Sequence, residues 1–410
     1  MRKTVLGCAV AAALVNASNT MAGGLWLNEF GDFAGGRASA GASAGTDDAA
    51  TIVHNPASSS RLEGNNLFLS GGVYIPDVKF DVEYSSPSNG YGNGGDAGLT
   101  APAASAAYVH NYADSKWSTG AYFGGFAGAG LEYSKDWAGR YNATDVELGL
   151  LMLGLTASYE VSDKLSLGAA LQGWYSYLEQ KLAVPRPFGQ EDARAKIDGD
   201  DTGVAFTLGA LYELDSRTRF GVFYQSEVKP KYDGDLKVKG LNGSIIPGDE
   251  LDVSTETELD MAQYVRLSMH HDLNETWAVN FTIGWDDWSE LDNVFVSTEQ
   301  GGAGIPTKWR DTYHYAWGVE YQLNSKWAFT SGVAYDTNPV DAKNRSPELP
   351  VDRQIRYAVG TQYQLKDTMT VGGYINYADL GKGRINAERY GGEYKNNGVL
   401  QLAVNANWKF

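Results

Sequence analysis

From residue 65 to the end of the chain, apolar and polar positions alternate with a period of two. In "LQLAVNANWKF" (400–410), Leu400, Leu402, Val404, Ala406, Trp408 and Phe410 alternate with Gln401, Ala403, Asn405, Asn407 and Lys409. Residues 275–286 and 313–322 repeat the pattern, with Trp and Tyr at the ends of the apolar side. Such alternation places successive side chains on opposite faces of a strand. Six times the alternation breaks at a short polar turn and resumes: "YVHNYADSKWSTGAYFGG" (108–125), 157–173, 210–226, 267–285, 319–336 and 361–378. Asp, Asn, Ser, Lys and Thr supply these turns, as tight hairpins require. Longer connections are expected at 129–146, 183–199, 238–254, 286–307 and 338–352.

Six hairpins give twelve strands, and single strands at about 66–82 and 398–410 bring the number to fourteen. An even count, alternating short and long connections, and aromatic-edged apolar faces predict an all-β, 14-stranded antiparallel transmembrane β-barrel. Soluble sandwiches alternate too, but their strands run about 3–10 residues, and closure removes the edges that lipid cannot satisfy.

The N-terminus changes the picture in two ways. Arg2 and Lys3, the apolar run Val5–Val15 and Thr20-Met21-Ala22 read as a signal peptide over 1–22, cleaved after Ala22. The run is short of the roughly twenty residues of a helical span. Cys8 follows Val5-Leu6-Gly7, but most of the apolar run lies after it, so simple removal is expected rather than lipidation. The mature chain then has neither a disulfide nor a thiol nucleophile. Residues 23–62 have no strand pattern, many small residues and apolar anchors at Leu25, Trp26, Leu27, Phe30 and Phe33. A fourteen-strand barrel is too wide for side chains alone to fill, so this segment is expected to plug the lumen of the barrel formed by 63–410. The alternative, a disordered periplasmic tail, sits poorly with its aromatics.

Composition narrows function further. With 49 Gly, 25 Tyr, 11 Trp and a net charge of −17, the chain suits a sheet with aromatic belts and is a poor match for nucleic acid. No Gly-x-Ser-x-Gly occurs, and His54, His110, His270, His271 and His314 form no Ser-His-acid pattern, so no enzyme is expected. His54 is read as structural. No cofactor and no metal site are expected.

"GGLWLNEFGDFAGGRASAGASAGTDDAATIVHNPASSSRL" resembles the N-terminal hatch of the FadL family of outer-membrane long-chain fatty acid transporters. "KWRDTYHYAWGVEY", "AYDTNPV", "NRSPELPVDRQIRYAVGTQYQL" and "ANWKF" are similar to that family's C-terminal strands, while about 130–260 matches by topology alone. The resemblance implies passive uptake: an apolar substrate binds in the lumen, the hatch rearranges, and release is lateral, beside a kinked third strand, into the membrane. It assigns Asn55-Pro56-Ala57 to the hatch where it meets the barrel floor; Pro56 lacks an N–H and makes a stiff corner. It assigns the kink to Gly124, Gly125, Gly128 and Gly130 in the expected third strand, 116–130, since strand glycines mark bulges.

A fatty acid is an anion, and by alternation Arg266, Arg310 and Arg356 are expected to point inward on three strands. Each can meet a carboxylate with two-pronged geometry or pair with a lumen acid such as Glu320. Relatives in the family pass monoaromatic hydrocarbons, which need no such partner, and that substrate stays open beside long-chain fatty acids. A general porin or a structural adhesin is the alternative outside transport of apolar compounds. Expected partners are the apolar ligand, outer-membrane lipid, lipopolysaccharide and the barrel-assembly machinery, through the C-terminal strand; acids such as Asp145, Glu147 and Asp192 either share divalent ions with lipopolysaccharide or, the better reading, are simply solvated. A single-chain, monomeric unit is expected.

Overall fold

The computed structural model describes residues 26–27, 29–186, 190–242, 248–291, 293–298 and 301–410. The expected signal peptide, Cys8 and Leu25 lie outside the described residues. Fourteen antiparallel strands close on themselves: β1 (Asn65–Ser85), β2 (Ala101–Asn111), β3 (Trp117–Glu132), β4 (Asp145–Ser162), β5 (Leu165–Val184), β6 (Ala193–Glu213), β7 (Thr218–Gln225, resuming Lys231–Lys239), β8 (Glu250–Glu258, resuming Tyr264–Asp272), β9 (Trp277–Asp286, resuming Asn293–Thr298), β10 (Gly301–Pro306, resuming Thr312–Gln322), β11 (Trp327–Asp336), β12 (Gln354–Lys366), β13 (Met369–Asp379) and β14 (Tyr390–Lys409). β1 pairs with both β2 and β14, from Asn66↔Lys409 to Ser85↔Tyr390, which seals the barrel. All six predicted hairpins form, with turns at 112–116, 163–164, 214–217, 273–276, 323–326 and 367–368.

Alternation sorts the side chains as two solvents demand. Leu155, Leu171, Val204, Ile283, Val359 and Val404 are exposed on the outer face, whereas Asn280, Thr282, Gln401 and Asn405 are buried on the inner one. Apolar outside and polar inside is the inverse of a water-soluble sheet and fits a wall in hydrocarbon. No helix among the described residues is long and apolar enough to cross a membrane.

Three connections differ from expectation. Residues 286–307 are not one loop, because Asn293–Thr298 pairs with Gly301–Pro306. Likewise β5 to β8 run well into 183–199 and 238–254. These extensions retain a core of their own, with Leu182, Ile197, Leu236, Val238 and Val296 clustered inside and ion pairs such as Lys196–Glu179 and Lys239–Glu250 outside. Paired strands therefore continue where the lipid-facing signal has ended.

Candidate functional site

Residues 29–61 are almost wholly buried against the inner faces of the strands. The segment is rich in Gly, Ala and Ser, so it brings few side chains to satisfy its own backbone. The wall does so instead. The Gly41 and Ala49 N–H groups donate to Thr282 Oγ1 (2.8 Å) and Asn407 Oδ1 (3.0 Å). Ser105 Oγ donates to the Phe30 carbonyl at 2.6 Å, Asn405 Nδ2 to that of Gly31 at 2.7 Å, and Arg219 Nε to that of Ala44 at 2.8 Å.

Asn55-Pro56-Ala57 sits at the short-turn end. The fully buried Asn55 donates to the carbonyls of Ser43 (2.7 Å) and Ala210 (3.0 Å), and its Oδ1 accepts from the Ala57 N–H at 3.0 Å. This caps a short 3₁₀ helix, Pro56–Arg61, with Pro at its start. Two strand glycines make the fit: a Cβ on Gly168 would lie 2.4 Å from the Ala57 nitrogen, and one on Gly209 2.0 Å from Asn55 Oδ1. Ser59 Oγ completes the contact with Ser118 (2.6 Å) and Ser158 (2.9 Å). Charges surround this region, since Arg37 pairs with Glu320 and Arg61 with Glu213. The acid proposed as partner for a strand arginine is thus taken by one from the N-terminal segment.

Within that segment Asp32, Asp48 and His54 form a buried cluster, with His54 Nε2 2.8 Å from Asp32. Burial, and then the Asp32 charge, push the Asp48 carboxyl up to about 7. Burial alone would lower the His54 imidazole, but the Asp32 carboxylate outweighs it and His54 titrates above its ordinary value.

At the other end of the lumen the wall itself opens. β2 and β3 pair from Asn111↔Ser118 only as far as Ser105↔Gly124. Above, contact resumes where the Leu99 N–H donates to the Gly130 carbonyl at 3.1 Å. Between these points β4 is the only barrel strand among the described residues that β3 pairs with, through a bulge between Gly125 and Ala127 that makes Phe126 the extra residue. Of the four glycines singled out, Gly124 faces Phe30, where a Cβ would lie 2.5 Å from the ring, whereas a Cβ on Gly125 would meet nothing within 4 Å. Gly128 and Gly130 border the same seam. Trp26 bridges to Ala127, and the Leu27 N–H donates to the Phe126 carbonyl at 2.8 Å, so the chain's first described residues lie along it.

A cavity of about 590 Å³ adjoins this seam, within the roughly 300–1,000 Å³ of small-molecule sites. Leu99, Ala129, Leu131 and Leu148 line its apolar end, and Leu349-Pro350-Val351, from the buried connection between β11 and β12, also contribute. Glu29, Tyr74, Asn376 and Gln401 make its other end polar.

The three arginines part company here. Arg356 lines the large cavity, buried and paired with Asp336. Arg266 lines a separate space of about 40 Å³ and holds Asp286 at 2.8 Å. Arg310 does not point inward: it lies in the break within β10, its side chain is 52% exposed, and it bonds the Asn338 carbonyl and Asp341. The break at 307–311 interrupts the alternation from which inward orientation was inferred. Asp145 pairs with Lys181 and Asp192 with Arg140. Sequence reasoning missed Glu29 and the Leu349–Val351 ceiling; a buried acid in a small-residue segment and an apolar run inside a long connection were the available signals.

Residues 13–410 match the family described as outer membrane protein transport protein (OMPP1/FadL/TodX). The chain is 27% identical over 438 residues to a long-chain fatty acid transport protein of Salmonella typhi, covering 98% of this chain and 97% of that one. It is 26% identical over 443 residues to the protein of the same name from Escherichia coli K12, with the same coverage. Its fold matches a crystal structure of a Pseudomonas aeruginosa FadL homologue with a TM-score of 0.83 at 20% identity, covering 96% of this chain and 99% of the other. It matches the P. putida toluene transporter TodX with a TM-score of 0.68 at 18% identity, covering 88% and 94%. A closed barrel with a lipid-facing outer surface and a match across nearly the whole sequence lead to one conclusion: the chain belongs to the FadL/TodX family of outer-membrane transport proteins for hydrophobic compounds, and it is not an enzyme.

Proposed function

We propose that this protein takes up long-chain fatty acids by passive transport, with residues 23–62 as a hatch. Substrate enters the cavity beneath the long connections, the hatch shifts at Trp26–Phe30, and the substrate leaves between β2 and β3 into the outer leaflet. The observation that carries this reading is a cavity reaching a seam where β2 and β3 do not pair with each other, while the lumen beneath is occupied. An apolar chain moving sideways passes Gly125 and Ala129; moving down it would have to part Arg37–Glu320 and Arg61–Glu213. An occupied lumen also weighs against a general porin. The long-chain fatty acid transport proteins among its relatives favour that substrate, while the toluene transporters supply the second reading, monoaromatic hydrocarbons by the same route.

The test is uptake of labelled long-chain fatty acid by cells lacking their own transporter, with the intact chain and with residues 23–57 deleted. Uptake that needs the intact chain, with no general rise in permeability to hydrophilic solutes, supports the reading. A correctly inserted barrel that transports no fatty acid removes that substrate, and aromatic hydrocarbons are tried next.

A further inference from the structure

The polar end of the large cavity is a row across three neighbouring strands: Tyr74 on β1 pairs with Gln401 on β14, which pairs with Asn376 on β13. Gln401 Nε2 donates to the Tyr74 hydroxyl at 2.9 Å, and that hydroxyl donates to the Glu29 carbonyl at 3.4 Å. Arg356, from β12, is committed elsewhere: Nη1 donates to Asp336 and Nη2 to Gln354 Oε1 at 2.6 Å. Its Nε faces Glu29 Oε1 at 3.7 Å, too long for a hydrogen bond. Two polar atoms in this row have no hydrogen-bond partner among the described residues, the acceptor Glu29 Oε1 and the donor Asn376 Nδ2. Both residues are nine-tenths or more buried, and both line the cavity.

We infer that this end of the cavity receives an uncharged head group bearing an O–H, a protonated carboxylic acid or a long-chain alkanol, in preference to a carboxylate anion. A carboxylate has lone pairs only. Brought here, it would face the Glu29 carboxylate and an arginine already paired with Asp336. An O–H donates to Glu29 Oε1, and the oxygen of the same group accepts from Asn376 Nδ2. Besides Arg356, the ionisable groups that interact with Glu29 are Tyr74 and Tyr374, neither of which adds a positive charge. A fatty acid would therefore take up one proton from water as it enters. The inference rests on the proposed transport reading and names the ionic form of its substrate.

The experiment is a titration of the purified full chain in detergent with hexadecanol, palmitic acid, methyl palmitate and hexadecane, followed by tryptophan fluorescence, since Trp26 lines the cavity. Hexadecanol is expected to bind about tenfold more tightly than the ester, which lacks a donor, at both about pH 5 and about pH 9. The acid should match the alcohol at the lower pH and weaken about tenfold at the higher one. In Glu29→Gln the amide can donate, so acid binding at the higher pH should recover, while binding of hexadecane, which has no head group to meet Glu29, holds and serves as the control for folding. Equal binding of ester and alcohol, tighter binding of the acid at high pH, or no change of the acid's pH profile in Glu29→Gln would overturn the inference. Binding of all four ligands without preference would leave transport of apolar compounds standing and remove this inference alone. Binding of none would remove both.

Discussion

Around Leu99, Ala129 and Val351 the lumen holds a cavity bounded on one side by an incompletely paired wall. Around Asn55, Arg61 and Arg219 it holds tightly packed backbone, serine hydroxyls and paired charges. The two regions share the same fourteen strands and the same N-terminal segment, yet they present opposite barriers. Separating partly buried ion pairs costs far more than sliding past apolar surface, because the interior screens charge poorly. Glycine serves opposite ends in the two regions. Gly168 and Gly209 let a backbone press against the wall below, whereas Gly125 leaves space unfilled above. On the proposed lateral route, the exit is decided by where the wall is weak and not by how wide the barrel is.

The comparison breaks most sharply if the seam is filled. In Gly125→Trp the new side chain enters open space, so the barrel should fold and insert normally. Fatty acid uptake by such cells should fall about tenfold or more, an expectation set by loss of the passage rather than of binding. Unchanged uptake would mean that substrate leaves elsewhere. Next in size is Gly168→Ala, whose Cβ would collide with the Pro56-Ala57 backbone at 2.4–2.6 Å. The Pro56-Ala57 backbone must shift, and leak of small hydrophilic solutes should rise several-fold in liposome swelling. Asn55→Ala should act the same way more mildly. It strands the Ser43 and Ala210 carbonyls and the Ala57 N–H, at a cost of about 1–3 kcal/mol in docking that segment.

A smaller effect concerns pH. A carboxyl raised to about 7, as at Asp48, keeps in the folded state a proton that the unfolded chain has lost. Docking of the segment is therefore expected to weaken as pH climbs from the ordinary carboxyl range toward 7, and His54, also raised, adds the same sign above its usual value. Hydrogen exchange at the Phe33 and Ala50 amides, which donate to Asp48, should be faster at the higher pH after correction for intrinsic rates. Asp48→Asn should flatten that dependence. Smallest is Arg310→Ala, whose exposed pair with Asp341 contributes about 0.5 kcal/mol or less, with no effect on ligand binding.

Strand number, hairpins and which face meets lipid could all be read from the chain, because a period of two between water-filled turns reports a local constraint at every residue. The roles given to the glycine cluster at 124–130 and to the Asn-Pro-Ala corner came from the family resemblance and not from alternation, because a local pattern of Gly or Asn-Pro by itself fits an ordinary loop or turn equally well. Arg310 was misplaced, because alternation holds only while the strand is unbroken. The continuation of β9 and β10 above the membrane escaped notice, because outside lipid no side chain is obliged to alternate. The rest depended on partners distant in sequence. Glu29 faces Arg356 across more than three hundred residues, Arg37 is matched to Glu320, and the seam exists because β2 stops pairing where β3 bulges. Local sequence determined a barrel with a segment to fill it. Only closure of the sheet, which sets strands β1 and β14 side by side, decided which polar atoms were left facing an apolar cavity.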